Sequence, residues 1–262
     1  MKIDFLARRV LWTELNDLSY LPKVFKEPYI NCLGFVLNVG GYYRGLASIL
    51  EDLMEQTSST QVQDLGSGSA THIRAVLKSW PSQKQPPKVV ISDLNPCLPI
   101  FKRLAKQFPN VQATLQSVNM ATAKILPGST VILCSCFHHL SDKEAHNALR
   151  NIGKQASAVL IIEPIERTAL YFLKHLLLLI PSVVLGMLTP LFHRWSIQNF
   201  LFCTVFPVAP LMVQVDCLIS ILRSFRFEEI KDLLSQSGFE AQVRGYAVTG
   251  VKRARRVDVK AA

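Results

Sequence analysis

Five short apolar runs alternate with amphipathic segments through the middle of the chain. The runs have the length of buried strands, and the segments between them place apolar residues at helical spacing, as Ile73, Val76 and Leu77 do. The predicted strands cover residues 61–65, 88–93, 111–118, 129–140 (a strand with its exit) and 158–163. This alternation predicts an α/β fold in which a parallel sheet is covered by helices on both faces.

The flanking regions carry helical patterns of their own. Two apolar stripes precede the core, formed by Phe5, Leu6, Val10 and Leu11 and by Leu46, Ile49, Leu50 and Leu53. They predict a helical cap over residues 1–56. After the core, residues 223–238 predict an amphipathic helix, residues 239–248 a strand, and residues 251–259 a final edge strand.

Residues 165–222 interrupt this plan as an insertion. Two almost wholly apolar runs, 168–192 and 200–221, are each close to the roughly twenty residues that span a bilayer. Prolines break both runs, and Asp216 lies within the second, which counts against a plain two-helix anchor. Three interpretations are open: a lid lining an apolar substrate pocket, an interfacial or re-entrant membrane hairpin, or a pair of true spans. The first two are compatible with each other.

A glycine turn connects the first predicted strand to the next helix. Asp64 lies near the end of the strand, and Gly66, Ser67 and Gly68 form the turn. Glycines let the backbone approach a ligand closely, and the following helix offers free N–H groups at its N-terminus. The carboxylate beside the turn disfavours a pyrophosphate and tolerates a ligand with an ammonium or sulfonium group. An NAD-type turn and a purely structural turn are the alternatives.

The sequence Asp-Leu-Gly-Ser-Gly-Ser at residues 64–69 resembles motif I of the class I S-adenosylmethionine-dependent methyltransferases. Phe-His-His-Leu at residues 137–140 resembles motif IV of the ubiquinone/menaquinone-type and other small-molecule enzymes of that family. The resemblance implies a Rossmann-like fold with a mostly parallel seven-stranded sheet, and S-adenosyl-L-methionine (SAM) as cofactor. It also implies methyl transfer by in-line displacement to a small acceptor. The hydrophobic insertion favours a lipophilic acceptor of lipid-, quinone- or polyketide-like chemistry.

The resemblance further implies cofactor contacts at the carboxyl ends of the strands. Asp93 is expected to bind the two ribose hydroxyls, Asn119 to accept from the adenine amine, and Arg44 to pair with the methionine carboxylate. A surface position for Arg44 is the alternative. The full predicted cofactor-binding set is Tyr43, Arg44, Asp64, Leu65, Gly66, Ser67, Gly68, Asp93, Leu94, Asn95, Asn119, Met120 and Cys136.

His138, His139 and Glu163 are the predicted catalytic residues. The histidines lie nearest the expected methyl position, and an imidazole titrates in the range needed to take a proton from a hydroxyl or an acidic carbon. Packing of both histidines beneath the cofactor, without a chemical role, is the alternative. Glu14 and Asp17 are further candidate bases.

The positive charge is concentrated near the end of the sequence. The formal net charge is +10, although 49% of the residues are hydrophobic. Five cations fall within a basic tail, residues 251–262: Lys252, Arg253, Arg255, Arg256 and Lys260. The tail predicts attraction to an anionic membrane surface, with a solvated tail as the alternative. No specific nucleic-acid partner is expected.

The cysteines and the first residues indicate the cellular compartment of the protein. The six cysteines show no Cys-x-x-Cys spacing, so neither a metal site nor a disulfide framework is predicted. This usage fits a reducing cytosol. The first residues lack a long apolar stretch and a cleavage signal, so no secretory peptide is predicted. The expected location is the cytoplasm, or the inner face of the membrane with peripheral attachment.

Two other functions compete with methyl transfer. The insertion and the basic tail favour a non-catalytic, membrane-associated protein that retains the SAM-binding fold, whereas the intact glycine turn and Asp93 disfavour it. An NAD-dependent oxidoreductase predicts a glycine at position 71, which is Thr71 here. The predicted organisation is a helical cap (1–56), a Rossmann-like core (57–164 and 223–250), a hydrophobic lid or membrane-associated insertion (165–222) and a basic tail (251–262).

Overall fold

The computed structural model describes residue 6, residues 8–18 and residues 20–252. Within them, one sheet contains β1 (Gln61–Leu65), β2 (Lys88–Ser92), β3 (Val111–Ala113), β4 (Thr130–Cys134), β5 (Ala158–Ile162), β6 (Phe239–Arg244) and β7 (Ala247–Lys252). The α-helices are α1 (Lys23–Val39), α2 (Leu46–Thr57), α3 (Thr71–Lys78), α4 (Leu98–Gln107), α5 (Asp142–Gln155), α6 (Ala169–Met187), α7 (Thr189–Phe192), α8 (Ile197–Asn199), α9 (Val208–Arg223) and α10 (Phe227–Gln236). Leu15–Asp17 and Phe137–His139 form 3-10 turns, and Phe200–Val205 forms a π-helix.

The strand order across the sheet is β3-β2-β1-β4-β5-β7-β6. β1 to β5 pair in parallel, and β7 is antiparallel to both β5 and β6. The predicted mostly parallel seven-stranded sheet is therefore confirmed. The chain runs outward from β1 to the edge at β3 and then returns to β4 on the other side of β1. A crevice therefore opens at the carboxyl ends of these two central strands.

Side chains of the central strands alternate between two cores. In β4, Ile132 and Cys134 belong to the core that α2, α3 and α4 cover, whereas Val131 and Leu133 belong to the core that α5 and α10 cover. Helices thus cover both faces of the parallel strands, which is why these strands are continuously apolar in sequence. All five residues of β4 and all five of β5 are buried, so the strand ends that face the crevice rest on a rigid base.

Most of the final edge strand predicted over residues 251–259 lies outside the described residues. Val251 and Lys252 instead end β7, which begins at Ala247 and lies between β5 and β6, so that β6 forms the edge of the described sheet. Residues 253–262, and with them most of the predicted basic tail, lie outside the described residues.

A tight turn follows β6. Gly245 has a φ of +63° and helps to reverse the chain directly after Arg244, forming an antiparallel hairpin. The turn divides the strand predicted over residues 239–248 into two. The third strand is also shorter than its predicted range, 111–118, because β3 pairs with β2 at only three positions.

The N-terminal segment is extended where a helix was predicted from the first apolar stripe. Residues 8–14 contain no helix, and Phe5 lies outside the described residues. The segment crosses the end of α9 instead, where the Val10 N–H donates to the carbonyl of Leu222 at 3.0 Å. Contacts with a distant helix therefore replace local helix formation. The second stripe forms the buried face of α2, as predicted.

α1 packs against the insertion and forms a helical layer with α6 and α9. The buried side chains of this layer are Tyr29, Cys32, Cys203, Ala209, Met212 and Val213. Gly186 of α6 allows the helices to approach closely, because a Cβ there would lie 2.9 Å from Sγ of Cys32 and 3.0 Å from Cβ of Pro210. α1, the π-helix and α9 thus share one core.

α6 leaves most of its apolar surface uncovered. It has 19 residues with a hydropathy of 1.8, long and apolar enough to cross a membrane, and 6% of its apolar window is buried. Ile197–Val205 and α9 meet the same criterion only as a pair bent by 68°. The second apolar run is therefore not a straight helix.

Candidate active site

A cavity of about 1160 Å³ opens at the carboxyl ends of β1, β2 and β4 and continues between α1, α6 and α9. The glycine turn after β1 lines one end. Leu33 of α1, Leu185 of α6 and Val213 of α9 line an apolar end. Small-molecule sites commonly measure about 300–1,000 Å³, so this cavity has room for a cofactor and a second molecule.

Seven of the predicted cofactor-binding residues line this cavity: Gly66, Gly68, Asp93, Leu94, Asn95, Met120 and Cys136. The structure therefore brings together segments that follow β1, β2, β3 and β4. Gly66 has a φ of +77°, and a Cβ there would lie 2.9 Å from Sγ of Cys136. Only glycine fits this position, which leaves the backbone of the turn facing the cavity.

Asp93 connects the glycine turn to the end of β2. Its Oδ2 accepts a hydrogen bond from the Gly68 N–H at 2.8 Å, and its Oδ1 accepts from the Asn95 N–H at 2.8 Å. Each carboxylate oxygen has a further lone pair with which it can accept from a ligand hydroxyl. Asp93 can therefore hold the turn and a bound ligand at the same time.

The other predicted residues are not among the described residues that line the cavity: Tyr43, Arg44, Asp64, Leu65, Ser67, Asn119 and Glu163. Asp64 is fully buried, and both of its carboxylate oxygens lie 3.0 Å from Nε2 of His72. Burial alone lowers the pKa of His72, but the facing Asp64 carboxylate outweighs it and raises that pKa well above its usual range. Asp64 therefore supports the glycine turn through the core.

Three more of these residues have structural contacts. Ser67 donates from Oγ to the carbonyl of Ser92 at 3.0 Å, which ties the turn to β2. The side-chain oxygen of Asn119 accepts from the backbone N–H two residues later at 2.9 Å, and the residue is exposed. The side chain of Leu65 is fully buried in the core.

Tyr42, and not Tyr43, lines the cavity between α1 and α2. Its ring packs against that of Tyr246, with the ring centroids 4.7 Å apart. Tyr43 is buried in the core, and Arg44 is exposed. The sequence shows the aromatic pair, but the left-handed turn at Gly41, with a φ of +79°, decides which ring faces inward.

His138 and His139 line the cavity from the turn after β4. Nδ1 of His138 lies 2.8 Å from Oε2 of Glu163, whose other oxygen accepts from the Phe137 N–H at 2.8 Å. Nδ1 of His139 lies 2.9 Å from Oδ2 of Asp17. A carboxylate therefore orients each imidazole through Nδ1. Glu163 acts on the cavity through His138.

Glu14 lies between the two imidazoles. Its Oε1 is 3.3 Å from Nε2 of His138, and its Oε2 is 3.6 Å from Nε2 of His139. Ser220 of α9 donates from Oγ to Oε1 at 2.6 Å. Burial raises the pKa of Glu14, but hydrogen bonding and the charge of His138 lower it to about 2. Burial likewise lowers the pKa of His138, but Glu163 and Glu14 raise it to about 10.

Asp216 holds the N-terminal segment that carries Glu14 and Asp17. Its carboxylate is 2% exposed and accepts from the backbone N–H groups of Leu15 at 2.6 Å and Asn16 at 3.1 Å. In the sequence, Asp216 is only a polar interruption of an apolar run. Its partners lie about 200 residues away, so no local pattern reveals this role.

Ser135 is a cavity residue that the sequence analysis missed. It directly follows β4 and has a φ of +52°, a left-handed conformation that is uncommon for a residue other than glycine. Its N–H donates to the carbonyl of Ile162 at 2.8 Å, which holds this conformation. Backbone strain of this kind is concentrated at functional sites.

Comparison with solved structures identifies methyltransferases as structural neighbours. A putative O-methyltransferase from Nostoc punctiforme matches with a TM-score of 0.53 and 14% identity, over 95% of this chain and 66% of that protein. An O-methyltransferase family 2 protein from Planctomyces limnophilus, in complex with apigenin, matches with a TM-score of 0.54 and 12% identity, over 91% and 64%. The chain has the fold of these methyltransferases.

Human N-acetylserotonin methyltransferase, solved in complex with SAM, matches with a TM-score of 0.50 and 16% identity, over 88% of this chain and 57% of that protein. The chain thus spans less than two thirds of the length of each of these three neighbours. No protein-family model matches the sequence, and no curated protein matches it.

Proposed function

We propose that the protein transfers a methyl group from SAM to an oxygen of a small, largely apolar acceptor. One observation carries this proposal: a single cavity joins the glycine turn and Asp93 to the pair His138 and His139 and to an apolar wall from α1, α6 and α9. The fold shared with methyltransferases supports the same assignment.

The residues at the glycine end fit the cofactor. The absence of a side chain at Gly66 lets a ligand contact the turn, and Asp93 can accept from two hydroxyls of one ribose. Met120 and Leu94 offer apolar surface on which a base can stack. SAM, when bound, supplies an electrophilic methyl group on a sulfonium. The protein's part is to align the acceptor with that group and to exclude water.

His139 is the better placed of the two histidines to receive the proton of an acceptor hydroxyl. Both ring nitrogens of His138 face carboxylates, and the residue is 4% exposed. His139 is more exposed, and its Nε2 lies 3.6 Å from Glu14, which is beyond hydrogen-bond distance. Asp17 would stabilise the imidazolium that forms.

Calorimetric titration with S-adenosylhomocysteine tests the cofactor assignment. D93A should bind roughly tenfold more weakly or worse, because a hydrogen bond to a charged group contributes about 1.5–3 kcal/mol. D52A removes an exposed carboxylate that pairs with Arg244 outside the cavity, and it should bind as the unchanged protein does. Binding of NAD in place of S-adenosylhomocysteine would remove the methyltransferase assignment.

Replacement of His139 tests the chemical assignment. Mass spectrometry of cell extracts incubated with the protein and isotopically labelled SAM first identifies an acceptor. H139A should then lower turnover about a hundredfold or more, because general-base catalysis is lost, while S-adenosylhomocysteine affinity is unchanged. H146A, on α5 outside the cavity lining, is the matched control. If H139A loses turnover and affinity for S-adenosylhomocysteine to the same extent, His139 has a packing role instead.

We further propose that the exposed apolar face of α6 contacts a lipid bilayer. Leu173 and Ile180 are 54% and 73% exposed, and Leu177 both is 70% exposed and lines the cavity. An uncovered apolar face of this extent is typical of a partner-binding or membrane-binding surface. Because one helix contributes to the cavity wall and to the exposed face, a lipophilic acceptor would pass from the bilayer into the cavity along it. This arrangement favours the lid and the membrane hairpin together.

A further inference from the structure

The two imidazoles and Glu14 have the arrangement of a metal-binding triad. The ligand-capable atoms, Nε2 of His138, Nε2 of His139 and a carboxylate oxygen of Glu14, all lie within 4.8 Å of one another. The two imidazoles are adjacent, with their ring centroids 4.4 Å apart and their planes tilted by 35°. All three residues line the cavity, so a ligand bound between them would be reachable from it.

The surroundings of the histidines match those of metal ligands. Nδ1 of His138 is held by Glu163 at 2.8 Å, and Nδ1 of His139 is held by Asp17 at 2.9 Å. A carboxylate on Nδ1 orients each ring with Nε2 toward the site, and such carboxylate–histidine–metal chains are general in metalloproteins. A metal ion that binds Nε2 of His138 displaces the proton that this nitrogen otherwise shares with Glu14.

The charge balance also favours a cation. Three carboxylates surround the imidazoles, from Glu14, Asp17 and Glu163. Among the described residues, the facing arginines are Arg223, with Nη1 3.7 Å from Asp17 and Nη2 donating to the carbonyl of His139 at 3.1 Å, and Arg9, which donates to the carbonyl of His138 at 3.1 Å. A divalent cation between the Nε2 atoms would take the place of the His138 proton beside the buried Glu14, and its second positive charge would balance the further carboxylates.

The geometry points to a divalent transition-metal site formed by Glu14, His138 and His139. Two imidazoles and one carboxylate bind Zn²⁺ in hydrolases and Fe²⁺ in oxygenases, and both sets leave coordination positions open. The open positions here face the cavity. Zn²⁺, Co²⁺ and Fe²⁺ are the expected class of ions, because imidazole ligands select against Mg²⁺ and Ca²⁺.

The role of the ion rests on the proposed methyl transfer, whereas its binding does not. An acceptor hydroxyl oxygen would take an open position, and the cation would make that hydroxyl more acidic. The hydroxyl proton leaves to water, a bond forms from the acceptor oxygen to the methyl carbon, and the bond from that carbon to sulfur breaks. In this arrangement His139 acts as a ligand, and the cation replaces it in activating the hydroxyl.

Titration of the full chain with Co²⁺, followed by visible absorption, tests the site. We expect one equivalent to bind with the ligand-field bands of a four- or five-coordinate ion, and Zn²⁺ to displace it. E14Q and H139N each remove a ligand and should weaken binding by about a hundredfold or more. D17N keeps all three ligands but removes the negative charge beside Nδ1 of His139, so it should weaken binding by about tenfold.

The matched control is H175N. His175 lines the same cavity from α6 but is not part of the triad, so this variant should bind Co²⁺ as the unchanged protein does. Unchanged affinity for S-adenosylhomocysteine shows that a variant is folded. If the full chain itself does not bind S-adenosylhomocysteine, the proposed cofactor site is wrong, whatever the result of the Co²⁺ titration. Absence of one-equivalent Co²⁺ binding by the full chain, or equal affinity of the full chain and E14Q, overturns the metal site. In that case the role of His139 as base is unaffected.

Discussion

Asp64 and His72 form a fully buried ion pair beneath the glycine turn, whereas Asp93 faces the cavity at the end of the neighbouring strand. These two carboxylates therefore have different tasks. Asp93 holds the turn from the ligand side through the Gly68 N–H. Asp64 fixes α3 against β1 from the core side, and removal of one partner from a buried pair typically costs about 3–5 kcal/mol.

The buried pair makes the stability of the protein depend on pH. The pKa of His72 is raised in the folded state, so its protonation stabilises the fold fully below the unfolded value of about 6.5. This contribution is lost as the pH rises through the higher folded pKa. The difference in free energy of unfolding between the unchanged protein and H72Q should therefore be larger at about pH 6 than at about pH 10.

Urea unfolding at a series of pH values measures this difference. H146Q provides the control, because His146 lies on α5 and forms no ion pair with a carboxylate of the described residues. Its effect on stability should not follow the same pH trend. A constant difference for H72Q across the whole range would show that His72 is neutral in the folded protein.

Single cavity residues could be predicted from the sequence where they follow a strand or are glycines in a turn. Gly66, Asp93 and His138 were predicted from such signals, and the structure places all three at the cavity. Sequence reasoning could not tell Tyr42 from Tyr43, since either ring suits a turn. It also assigned Asp64 to the ligand, because an acid near a strand end carries the same signal whether it faces the cavity or the core.

At the scale of elements, α6 depends on close packing at one position. Gly186 lies against Cys32 of α1 and Pro210 of α9, and any side chain there overlaps Sγ of Cys32. G186A should lower the free energy of unfolding by about 1–3 kcal/mol through overpacking. Because the glycine turn is in a different core, the affinity for S-adenosylhomocysteine should be unchanged.

A double-mutant cycle separates this contact from general effects on the helix. The variant G186A/C32A removes the sulfur that the new methyl group would meet, so its loss of stability, measured in urea, should be smaller than the sum of the two single losses. Additive losses would show that the new methyl group is opposed by Pro210 and not by the sulfur of Cys32.

The elements that were predicted correctly carry local signals. Ser141 and Glu144 form the predicted capping box at the start of α5, where both reciprocal hydrogen bonds are present. The extended residues 8–14 and the hairpin at Gly245 were missed. The first depends on α9 of the folded protein, and the second on a single left-handed residue within an apolar pattern.

At the scale of the whole molecule, the exposed apolar face predicts reversible membrane binding. The full chain should float with vesicles of phosphatidylglycerol and phosphatidylcholine, and L173E/I180E should not, because it places charges in that face without altering the cavity lining. L115E changes a leucine that is 41% exposed beside β3 and serves as control. High salt should release part of the protein, because the cations of residues 252–260 add about 1 kcal/mol each, which salt screens.

Resistance of the bound protein to both salt and alkali would point to spanning helices instead. If the full chain does not float with vesicles, residues 165–222 form a lid and do not contact a membrane. The sequence alone does not distinguish these alternatives, since apolar runs of this length suit a lid and a bilayer equally. The structure adds that α6 is both uncovered and part of the cavity wall.

The attachment of the N-terminal segment to α9 has a consequence for biosynthesis. Glu14 leaves the ribosome 206 residues before Ser220, a delay of roughly 10–40 s at about 5–20 residues per second. Strands β1 to β5 are complete within that time, but Asp216 and Leu222, which hold the segment, are not yet made. The nascent chain must therefore keep its first segment undocked while the central sheet forms. Glu14 and Asp17 therefore reach the two histidines only after the rest of the site has formed.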